Sequence, residues 1–418
     1  MSGDGRRAVV IGGGIVGLSA ASFLQRDGWR VTVLDPRGPG ESASGGNAGL
    51  MAIGHATPIG MPGLLRQVPG MLHDRESPLT IRPAYLPRIA PWLARLVLAS
   101  RPARVEAISR ALKTLLDRAF PAYDALLAGS NARGLIRRQG FLVAYRDEAH
   151  RRAAMPELEL RSRVGVRIEF LDEAAVRERL PMLAARYTRA AFYPDCGHCV
   201  DPAALSQAVA GSIERGGGTF LRTAATRLDH SAGGVTAVRT ADGVVPADLV
   251  VLAAGAWSRP LAAALGARVP LDTERGYHVM LLPQPFELPC PVTPGDLRFC
   301  ITPMASGLRA AGTVEFAGLA APPDPRRPAM LLRHVRQVFP DVRVEGHTTW
   351  MGFRPSLPDS LPVIGRVPGA PNVILAFGHG HVGLTTGPAT GELVAALAAG
   401  RPAAIDLAPF AVERFSAH

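Results

Sequence analysis

Apolar and polar positions alternate most clearly near the start of the chain. Residues 8–11 form a short apolar run, residues 18–26 carry apolar side chains at helical spacing, and residues 29–34 are again largely apolar. A helix-length segment between two strand-length runs is typical of a βαβ unit with parallel strands. The pattern therefore predicts an α/β fold for this part of the chain.

The middle of the chain mixes helical and strand patterns. Helical spacing dominates residues 64–127, although several prolines interrupt it. Further elements are predicted as strands over 137–145, 219–228 and 247–252, helices over 204–215 and 328–339, a hairpin over 235–245 about Asp242-Gly243, and short strands from 275 to 314. The helical stretch is predicted to be an excursion from a sheet-based fold.

The C-terminal part of the chain shows the same order of strand, glycine-rich turn and helix as the first part. Strands predicted over 361–365 and 372–376 lead into a glycine-rich loop at 378–385 and a helix over 387–399. Two glycine-rich turns that open onto helices, one in each terminal part, imply that both approach one ligand. The predicted domains are a discontinuous cofactor domain over 1–63, 196–260 and 345–418, and a substrate domain over 64–195 and 261–344 with the helical excursion at 64–127.

The first turn carries the motif Gly12-x-Gly14-x-x-Gly17, and Asp35 follows the second predicted strand. Gly12 permits a tight turn, Gly14 lets the backbone approach a pyrophosphate, and Gly17 lets the helix pack closely on the strand. The helix N-terminus attracts phosphate, while Asp35 can accept hydrogen bonds from ribose hydroxyls and would repel a 2′-phosphate. The unit is therefore predicted to bind FAD or NAD.

Composition narrows the class of protein. The 418 residues are 47% hydrophobic and 19% charged, which excludes a disordered or fibrous chain. Four cysteines in a chain of this length do not make a disulfide framework and point to a reducing compartment. Neither a signal peptide nor a membrane span is apparent, so we expect a cytoplasmic protein.

The net charge of +11 raises nucleic acid and anionic membranes as partners. Lys113 is the only lysine, and the arginines are scattered without a run of five basic residues. We therefore expect no nucleic-acid partner. The apolar stretch 90–99 is too short to cross a bilayer and is predicted to be a buried helix, with peripheral contact to the inner face of the membrane as the alternative.

Five motifs in one order resemble the D-amino-acid oxidase superfamily of flavoproteins: 12–17 with Asp35, 44–49, 253–255, 352–355 and 378–384. The likeness covers essentially the whole chain and is nearest to the bacterial D-amino-acid dehydrogenases, including those of the D-hydroxyproline type. The resemblance implies FAD rather than NAD, held without a covalent bond. It also implies a discontinuous Rossmann-like FAD-binding domain beside an antiparallel-sheet substrate domain with a helical insertion, thus an α/β and α+β protein.

The resemblance assigns roles to residues. Arg354 is expected to grip a substrate carboxylate, for which the guanidinium fork is suited. Tyr277, His55, His278 and His379 are expected at the substrate pocket, and no metal site is expected. FAD contacts are expected from Gly12, Gly14, Ile15, Val16, Gly17, Asp35, Pro36, Ser44, Asn47, Ala48, Gly49, Leu50, Ala225, Ala254, Gly255, Trp257, Gly380, His381, Val382, Gly383, Leu384 and Thr385.

The family chemistry is the oxidation of an amine alpha to a carboxylate. The resemblance implies hydride transfer from the Cα of a D-amino or cyclic imino acid, such as D-proline or hydroxy-D-proline, to flavin N5 without a protein base. A quinone and oxygen both remain open as electron acceptors.

Three alternatives remain at this point. They are an oxidase of glycine or N-substituted glycine that makes hydrogen peroxide, a flavoenzyme that oxidises a C–OH bond, and a non-catalytic basic protein that binds RNA or a membrane. Cys196-x-x-Cys199 has the spacing of a thiol redox site, but it is predicted to lie in a loop that precedes a helix, so we expect no redox role.

Overall fold

The computed structural model describes residues 5–63, 77–231 and 233–415. Its strands, in chain order, are β1 (Arg7–Ile11), β2 (Arg30–Leu34), β3 (Leu50–Met51), β4 (Leu79–Ile81), β5 (Ile136–Arg137), β6 (Phe141–Tyr145), β7 (Glu169–Leu171), β8 (Arg189–Tyr193), β9 (Gly197–Cys199), β10 (Thr219–Leu221), β11 (Ala225–Ser231), β12 (Gly234–Thr240), β13 (Gly243–Pro246), β14 (Leu249–Leu252), β15 (Asp272–Leu281), β16 (Val292–Pro294), β17 (Phe299–Met304), β18 (Gly307–Phe316), β19 (Thr348–Ser356), β20 (Val363–Val367) and β21 (Ala370–Phe377).

The helices of the described residues alternate with these strands. They are α1 (Ile15–Arg26), α2 (Leu86–Ala99), α3 (Pro102–Leu116), α4 (Ala119–Leu126), α5 (Glu148–Arg163), α6 (Glu173–Arg179), α7 (Pro202–Arg215), α8 (Ser258–Ala264), α9 (Arg326–Val338) and α10 (Gly383–Ala398). Short 3-10 turns cover Pro83–Tyr85, Asn131–Leu135, Gly255–Trp257, Ala408–Phe410 and Val412–Phe415.

A six-stranded sheet in the order β10-β2-β1-β14-β21-β20 forms one layer. Its strands run parallel except β20, which is antiparallel to β21. Val10 of β1 packs with helices α1 and α10, whereas Val9 and Ile11 pack on the other face, in the core shared with the small sheet β11-β12-β13. Both faces are therefore covered, as continuously apolar parallel strands require.

A nine-stranded, mostly antiparallel sheet forms a second layer in the order β19-β15-β18-β17-β16-β6-β8-β7, with β4 paired to β18. Strand β15 lies between β19 and β18, and Glu274 of β15 stands opposite Arg354 of β19. The pairing of β15 with β18 shifts register beside Gly276, where Thr313 has a φ of 61°. A positive φ is unusual for a β-branched residue, and a local bulge of this kind often re-aims backbone groups at a functional site.

The predicted fold class is confirmed by this arrangement of a parallel sheet, an antiparallel sheet and helices. The predicted domain boundary at residue 345 lies just before β19, which pairs within the nine-stranded sheet. The single strand predicted over 219–228 divides into β10 and β11, because the chain turns after Leu221.

The predicted helical region 64–127 contains α2, α3 and α4, and its residues 64–76 lie outside the described residues. Among the described residues, we find no helix that combines the length and the apolar character needed to span a membrane.

Candidate functional site

A cavity of about 1780 Å³ lies between the carboxyl ends of the parallel strands and the nine-stranded sheet. This volume exceeds that of most small-ligand pockets and is suited to a cofactor together with a substrate. Most of the residues predicted to contact FAD line it: Gly12, Gly14, Ile15, Val16, Asp35, Pro36, Ser44, Asn47, Ala48, Leu50, Ala225, Ala254, Gly255, Trp257, Gly380, His381, Val382, Gly383 and Leu384. Gly17, Gly49 and Thr385 support the lining from behind it, as their contacts below describe.

The turn after β1 is compressed around glycine. A Cβ on Gly12 would stand 2.3 Å from the carbonyl oxygen of Ala253, and one on Gly17 would stand 2.0 Å from the Gly12 carbonyl oxygen. The N-cap Gly14 offers no side chain to the first turn of α1, whose amide groups therefore depend on other partners. The Ser44 hydroxyl accepts one of them, from Ile15, at 2.9 Å. An unfilled helix N-terminus beside a cavity fits a pyrophosphate.

Asp35 closes this end of the cavity. Its two carboxylate oxygens accept hydrogen bonds from the amides of Gly13, at 2.8 Å, and Arg37, at 2.9 Å. Each oxygen keeps acceptor capacity, so the carboxylate can also receive ribose hydroxyls. The Trp257 ring packs edge-on against Phe353 and lies under the Arg37 guanidinium, which builds an aromatic wall nearby.

The glycine loop 44–49 is held from the nine-stranded sheet by three side chains. Arg309 donates to the carbonyl oxygens of Gly45, at 2.9 Å, and Asn47, at 2.8 Å. The Nδ1 atom of His278 lies 2.8 Å from the Gly46 carbonyl oxygen, and its ring stacks on Trp350. Backbone carbonyls that could otherwise turn into the cavity are thereby fixed, and we call these three residues the loop clamp.

His278 was expected at the substrate pocket, and the structure places it in the loop clamp, outside the cavity lining. Burial and the neighbouring Arg309 lower the pKa of His278 to about 4, so its ring is neutral near pH 7. Gly49 has a φ of 70°, and its amide donates to the Asn47 side chain at 2.6 Å. Both residues therefore shape the loop that faces the cavity.

The second glycine turn places another open helix N-terminus at the cavity. Helix α10 begins at Gly383, and its N-cap Val382 has no capping side chain. His379 borders the cavity, but its Nε2 atom bonds Thr390 at 2.9 Å and burial lowers its pKa to about 3. The Thr385 hydroxyl accepts from the Ala52 amide at 2.9 Å and so ties this turn to the chain after β3. The two helix N-termini together can stabilise a ligand that is anionic at both ends.

Arg354 lies at the end of the cavity formed by the nine-stranded sheet. Its Nη1 atom donates to the carbonyl oxygen of Thr313 at 2.9 Å, and its guanidinium covers Gly276, where a Cβ would stand 2.3 Å from Cζ. Burial lowers its pKa, and the charge of Glu274 opposes that shift. Because a guanidinium remains protonated even with a lowered pKa, Arg354 offers a half-buried cation to an anionic group.

Tyr277 borders the cavity, but its hydroxyl is engaged elsewhere. The hydroxyl donates to Glu315 Oε2 at 2.5 Å and accepts from the Asp324 amide at 2.9 Å. Burial, reinforced by Glu315, raises its pKa to about 12. Arg82 donates to the other oxygen of Glu315 at 2.5 Å. Tyr277 therefore belongs to a buried structural network, and its hydroxyl is not directed at a ligand.

His55 lines the cavity and packs edge-on against Phe141. Burial, with smaller contributions from Arg161 and His381, lowers the pKa of His55 to about 3. Its ring is thus neutral near pH 7.

Two polar residues of the cavity were missed by sequence reasoning. Glu274, 1% exposed, faces Arg354 across the sheet, and its Oε2 atom lies 2.7 Å from His381 Nε2. Burial opposes its ionisation, but His381 and Arg354 outweigh that effect and hold its pKa below the ordinary value. Thr313, with its positive φ, orients the carbonyl that holds Arg354. Side chains two residues apart in a strand point to the same face of the sheet. The spacing of Glu274, Gly276 and His278 was therefore the sequence feature that could have placed Glu274 on the face of the other two.

Cys196 and Cys199 lie outside the cavity lining. Both are buried free thiols, and Cys199 belongs to β9 rather than to the predicted loop. Burial raises the pKa of each to about 12, which keeps the thiols protonated and unreactive. These surroundings support a structural role for the pair.

Comparison with known proteins agrees with this geometry. Residues 7–397 match the protein family described as FAD dependent oxidoreductase (DAO). The chain is 39% identical to a D-amino-acid oxidase of Bradyrhizobium diazoefficiens, with 99% of both chains covered, and 31% identical to a D-amino acid dehydrogenase of Cereibacter sphaeroides, with 98% and 96% covered. A solved glycine oxidase of Geobacillus kaustophilus shares the fold with a TM-score of 0.73 at 23% identity, covering 98% of this chain and 99% of that one.

Proposed function

The chain belongs to the family of FAD-dependent oxidoreductases and is an FAD-dependent enzyme that acts on amino acids; we propose that its substrate is a D-amino acid or a D-configured cyclic imino acid. The supporting observation is Arg354, a half-buried guanidinium that borders the same cavity as the two open helix N-termini. A guanidinium there can hold the α-carboxylate by two parallel hydrogen bonds. The names of the relatives that cover nearly the whole chain support the D-configuration.

The cavity fits FAD in its chemistry. Gly12, Gly14 and the first turn of α1 would hold the pyrophosphate, and Asp35 would hold the adenosine ribose. Loop 44–49 and the N-terminus of α10 would border the isoalloxazine ring, which supplies a two-electron hydride acceptor when FAD is bound. The amides at the start of α10 offer partial positive charge where a reduced ring gains negative charge.

The chain's own groups account for substrate placement. Arg354 fixes the carboxylate, Thr313 fixes Arg354 through its carbonyl oxygen, and Gly276 leaves the space that the guanidinium occupies. Holding the carboxylate in this way restricts the Cα–H bond to one direction, and such positioning is worth large factors in rate. We propose that residues 1–63, 196–260 and 345–418 bind FAD, that residues 64–195 and 261–344 bind the substrate, and that β19 serves both.

The relatives include both oxidases and dehydrogenases, so the electron acceptor is oxygen or a quinone. A quinone acceptor would call for contact with a membrane. Helix α2 supports that contact, because Leu86 and Leu98 are exposed on its surface and arginines 88 and 95 stand between them in sequence. Binding to anionic vesicles, followed by sedimentation, tests this finer proposal.

The test of the proposed function is anaerobic loss of the visible flavin absorption upon addition of D- and L-amino acids, including D-proline and hydroxy-D-proline. We expect bleaching by at least one D-acid and a loss of about 100-fold or more in bleaching efficiency in Arg354→Lys, because an ammonium cannot replace the bidentate fork. Arg268→Lys, an exposed arginine outside the cavity lining, is the matched control.

The outcomes are distinct. Fast recolouring after admission of air identifies an oxidase, and slow recolouring with rapid transfer to a quinone identifies a dehydrogenase. Bleaching by glycine or an N-substituted glycine, but by no D-acid, would replace the proposed substrate class. Absence of bleaching by any amino or imino acid, in protein that holds FAD, would overturn it.

A further inference from the structure

The substrate end of the cavity contains the carboxylate of Glu274, which has no role in holding the substrate carboxylate on Arg354. Glu274 Oε2 bonds His381, whereas Oε1 makes no hydrogen bond of standard geometry among the described residues, although the Ser356 hydroxyl helps to lower the pKa of Glu274. A buried ionised carboxylate with an unused oxygen is costly unless nearby positive charge or a ligand offsets it. Arg354 lies beside Glu274 and supplies positive charge. Glu274 also borders the cavity, so a ligand there could bond its unused oxygen.

The bond to Glu274 determines how His381 presents its ring. An ionised carboxylate only accepts hydrogen bonds, so Nε2 of His381 carries the hydrogen that it donates. In a neutral imidazole the other nitrogen, Nδ1, then keeps its lone pair. The His381 side chain is 40% exposed and borders the cavity, which makes Nδ1 accessible to a ligand.

Other charged and titratable groups frame this pair from each neighbouring element. Arg354 of β19 stands opposite Glu274, Asp272 precedes Glu274 by two residues on β15, and His381 contributes to the lowered pKa of His55, which follows β3. Arg161 of α5 stands behind His55 and is engaged by Glu157. Burial keeps His55 neutral, whereas the ring of His381 is bonded to the Glu274 carboxylate and borders the cavity.

A substrate that binds as the zwitterion must lose a proton before it reacts. An amino acid is a zwitterion near neutral pH, and the ammonium nitrogen has no lone pair with which to form the imine. Once Arg354 holds the carboxylate, the ammonium group lies one carbon away from it, in the part of the cavity that Glu274 and His381 border. Glu274 would attract this cation, and the Nδ1 atom of His381 would be its nearest basic nitrogen.

We propose that His381, oriented by Glu274, takes the ammonium proton of the bound amino acid before hydride leaves its Cα. The N–H bond breaks with its electron pair remaining on the substrate nitrogen, and an Nδ1–H bond forms on the imidazole. The resulting imidazolium faces the Glu274 carboxylate, which stabilises it. This inference rests on the proposed function. It adds that the substrate is used in its zwitterionic form and that His381 accepts its proton.

The first test is the pH dependence of anaerobic bleaching at subsaturating D-amino acid, in His381→Asn and Glu274→Gln, with exposed His230→Asn as control. We expect a nearly flat profile from pH 7 to 9 for the unmodified enzyme, because the abundant zwitterion reacts. His381→Asn should lose about 100-fold at pH 7 and regain about tenfold per pH unit, because only the free amine then reacts. Glu274→Gln should lose about tenfold without unfolding, because its shape is conserved.

The second test counts protons and needs no turnover. The probe is 2-methylalanine, an amino acid with no hydrogen on Cα, titrated into the FAD-loaded enzyme by calorimetry in two buffers of different ionisation enthalpy. At pH 8 we expect the unmodified enzyme to release almost no proton, because the proton moves within the site. The double variant His381→Asn with Glu274→Gln, which has neither the proton acceptor nor the carboxylate that attracts the ammonium, should release about one proton per site.

Each outcome bears on the proposal. Equal pH slopes in the unmodified enzyme and His381→Asn, or equal proton release in the unmodified enzyme and the double variant, would overturn it while leaving the proposed function intact. Failure of every amino acid to bleach any variant would instead remove the proposed function itself. Unchanged FAD content in all variants keeps a folding defect from being mistaken for either result.

Discussion

The two ends of the cavity are built by different means. At the nucleotide end, backbone amides and missing side chains dominate, and the glycine turn and the carboxylate both lie in the one βαβ unit between Gly12 and Asp35. At the substrate end, charged and strained residues dominate, and they come from three strands paired by register: Glu274 on β15, Thr313 on β18 and Arg354 on β19. One end is thus specified locally, and the other depends on the assembly of a sheet.

This difference predicts different responses to substitution. A Cβ added at Gly12 or Gly17 of the nucleotide end would meet backbone, which cannot move away without shifting whole strands. A Cβ added at Gly276 of the substrate end would meet the tip of a long side chain, which can move at little cost to the fold. Damage at the first end should therefore appear in folding and FAD content, and damage at the second in catalysis.

The largest effect is expected for Gly12→Ala. Gly12 has a φ of 118°, and its added Cβ would stand 2.3 Å from the Ala253 carbonyl oxygen at the end of β14. We expect a loss of about 3 kcal/mol or more in unfolding free energy, together with most of the bound FAD, because overpacking and backbone strain add. Urea unfolding and the flavin content of the purified protein measure these quantities.

Gly28→Ala is the matched control for that experiment. Gly28 also has a positive φ, of 84°, but no atom lies within 4 Å of the position of its added Cβ. It should therefore lose only about 1 kcal/mol, the cost of the left-handed conformation, and keep its FAD. Similar losses in both variants would show that strain alone, without close packing against β14, makes Gly12 necessary.

A smaller effect is expected for Gly276→Ala, which tests the substrate end. The added Cβ would stand 2.3 Å from the Arg354 Cζ atom and displace the guanidinium from its place above the strand. We expect unchanged FAD content and a fall of about 100-fold in kcat/KM, the size of effect that a shift of about 1 Å in a positioning group produces.

Gly365→Ala in β20 provides the comparison for Gly276. Its added Cβ would have only Ala411 Cα at 4.0 Å, and Gly365 lies outside the cavity lining, so kcat/KM should not change. If Gly276→Ala lost FAD or unfolded rather than losing kcat/KM, the substrate end would be a structural element like the nucleotide end.

The same contrast explains which features the sequence could predict. The βαβ unit, both glycine turns and Arg354 are apparent because each rests on neighbouring residues, and the fold class follows from them. Glu274 could not be identified as the partner of His381, since that contact depends on the register of β15 and on where α10 begins. His278 was placed at the pocket because the sequence does not reveal that β15 passes beneath loop 44–49, whose Gly46 carbonyl it contacts.

The smallest effect is expected for the exposed ion pair that joins β1 to the start of β14. Asp248 accepts from the Arg7 amide at 2.8 Å and from its guanidinium at 2.7 Å, and these hydrogen bonds lower the pKa of Asp248 to about 2. A depressed carboxyl pKa contributes stability above the unfolded pKa of about 4, and that contribution is lost as pH falls toward 2.

Asp248→Asn should lower the unfolding free energy by less than about 1 kcal/mol at pH 7, because the two side chains are 43% and 44% exposed and solvent screens them. The difference in unfolding free energy between the unmodified protein and Asp248→Asn should stay constant from pH 7 to 5 and shrink below pH 4. It should also decrease in about 0.5 M salt, and urea unfolding at each pH and salt concentration measures it. A difference above about 2 kcal/mol that salt leaves unchanged would mean that this ion pair stabilises the six-stranded sheet as much as glycine packing does.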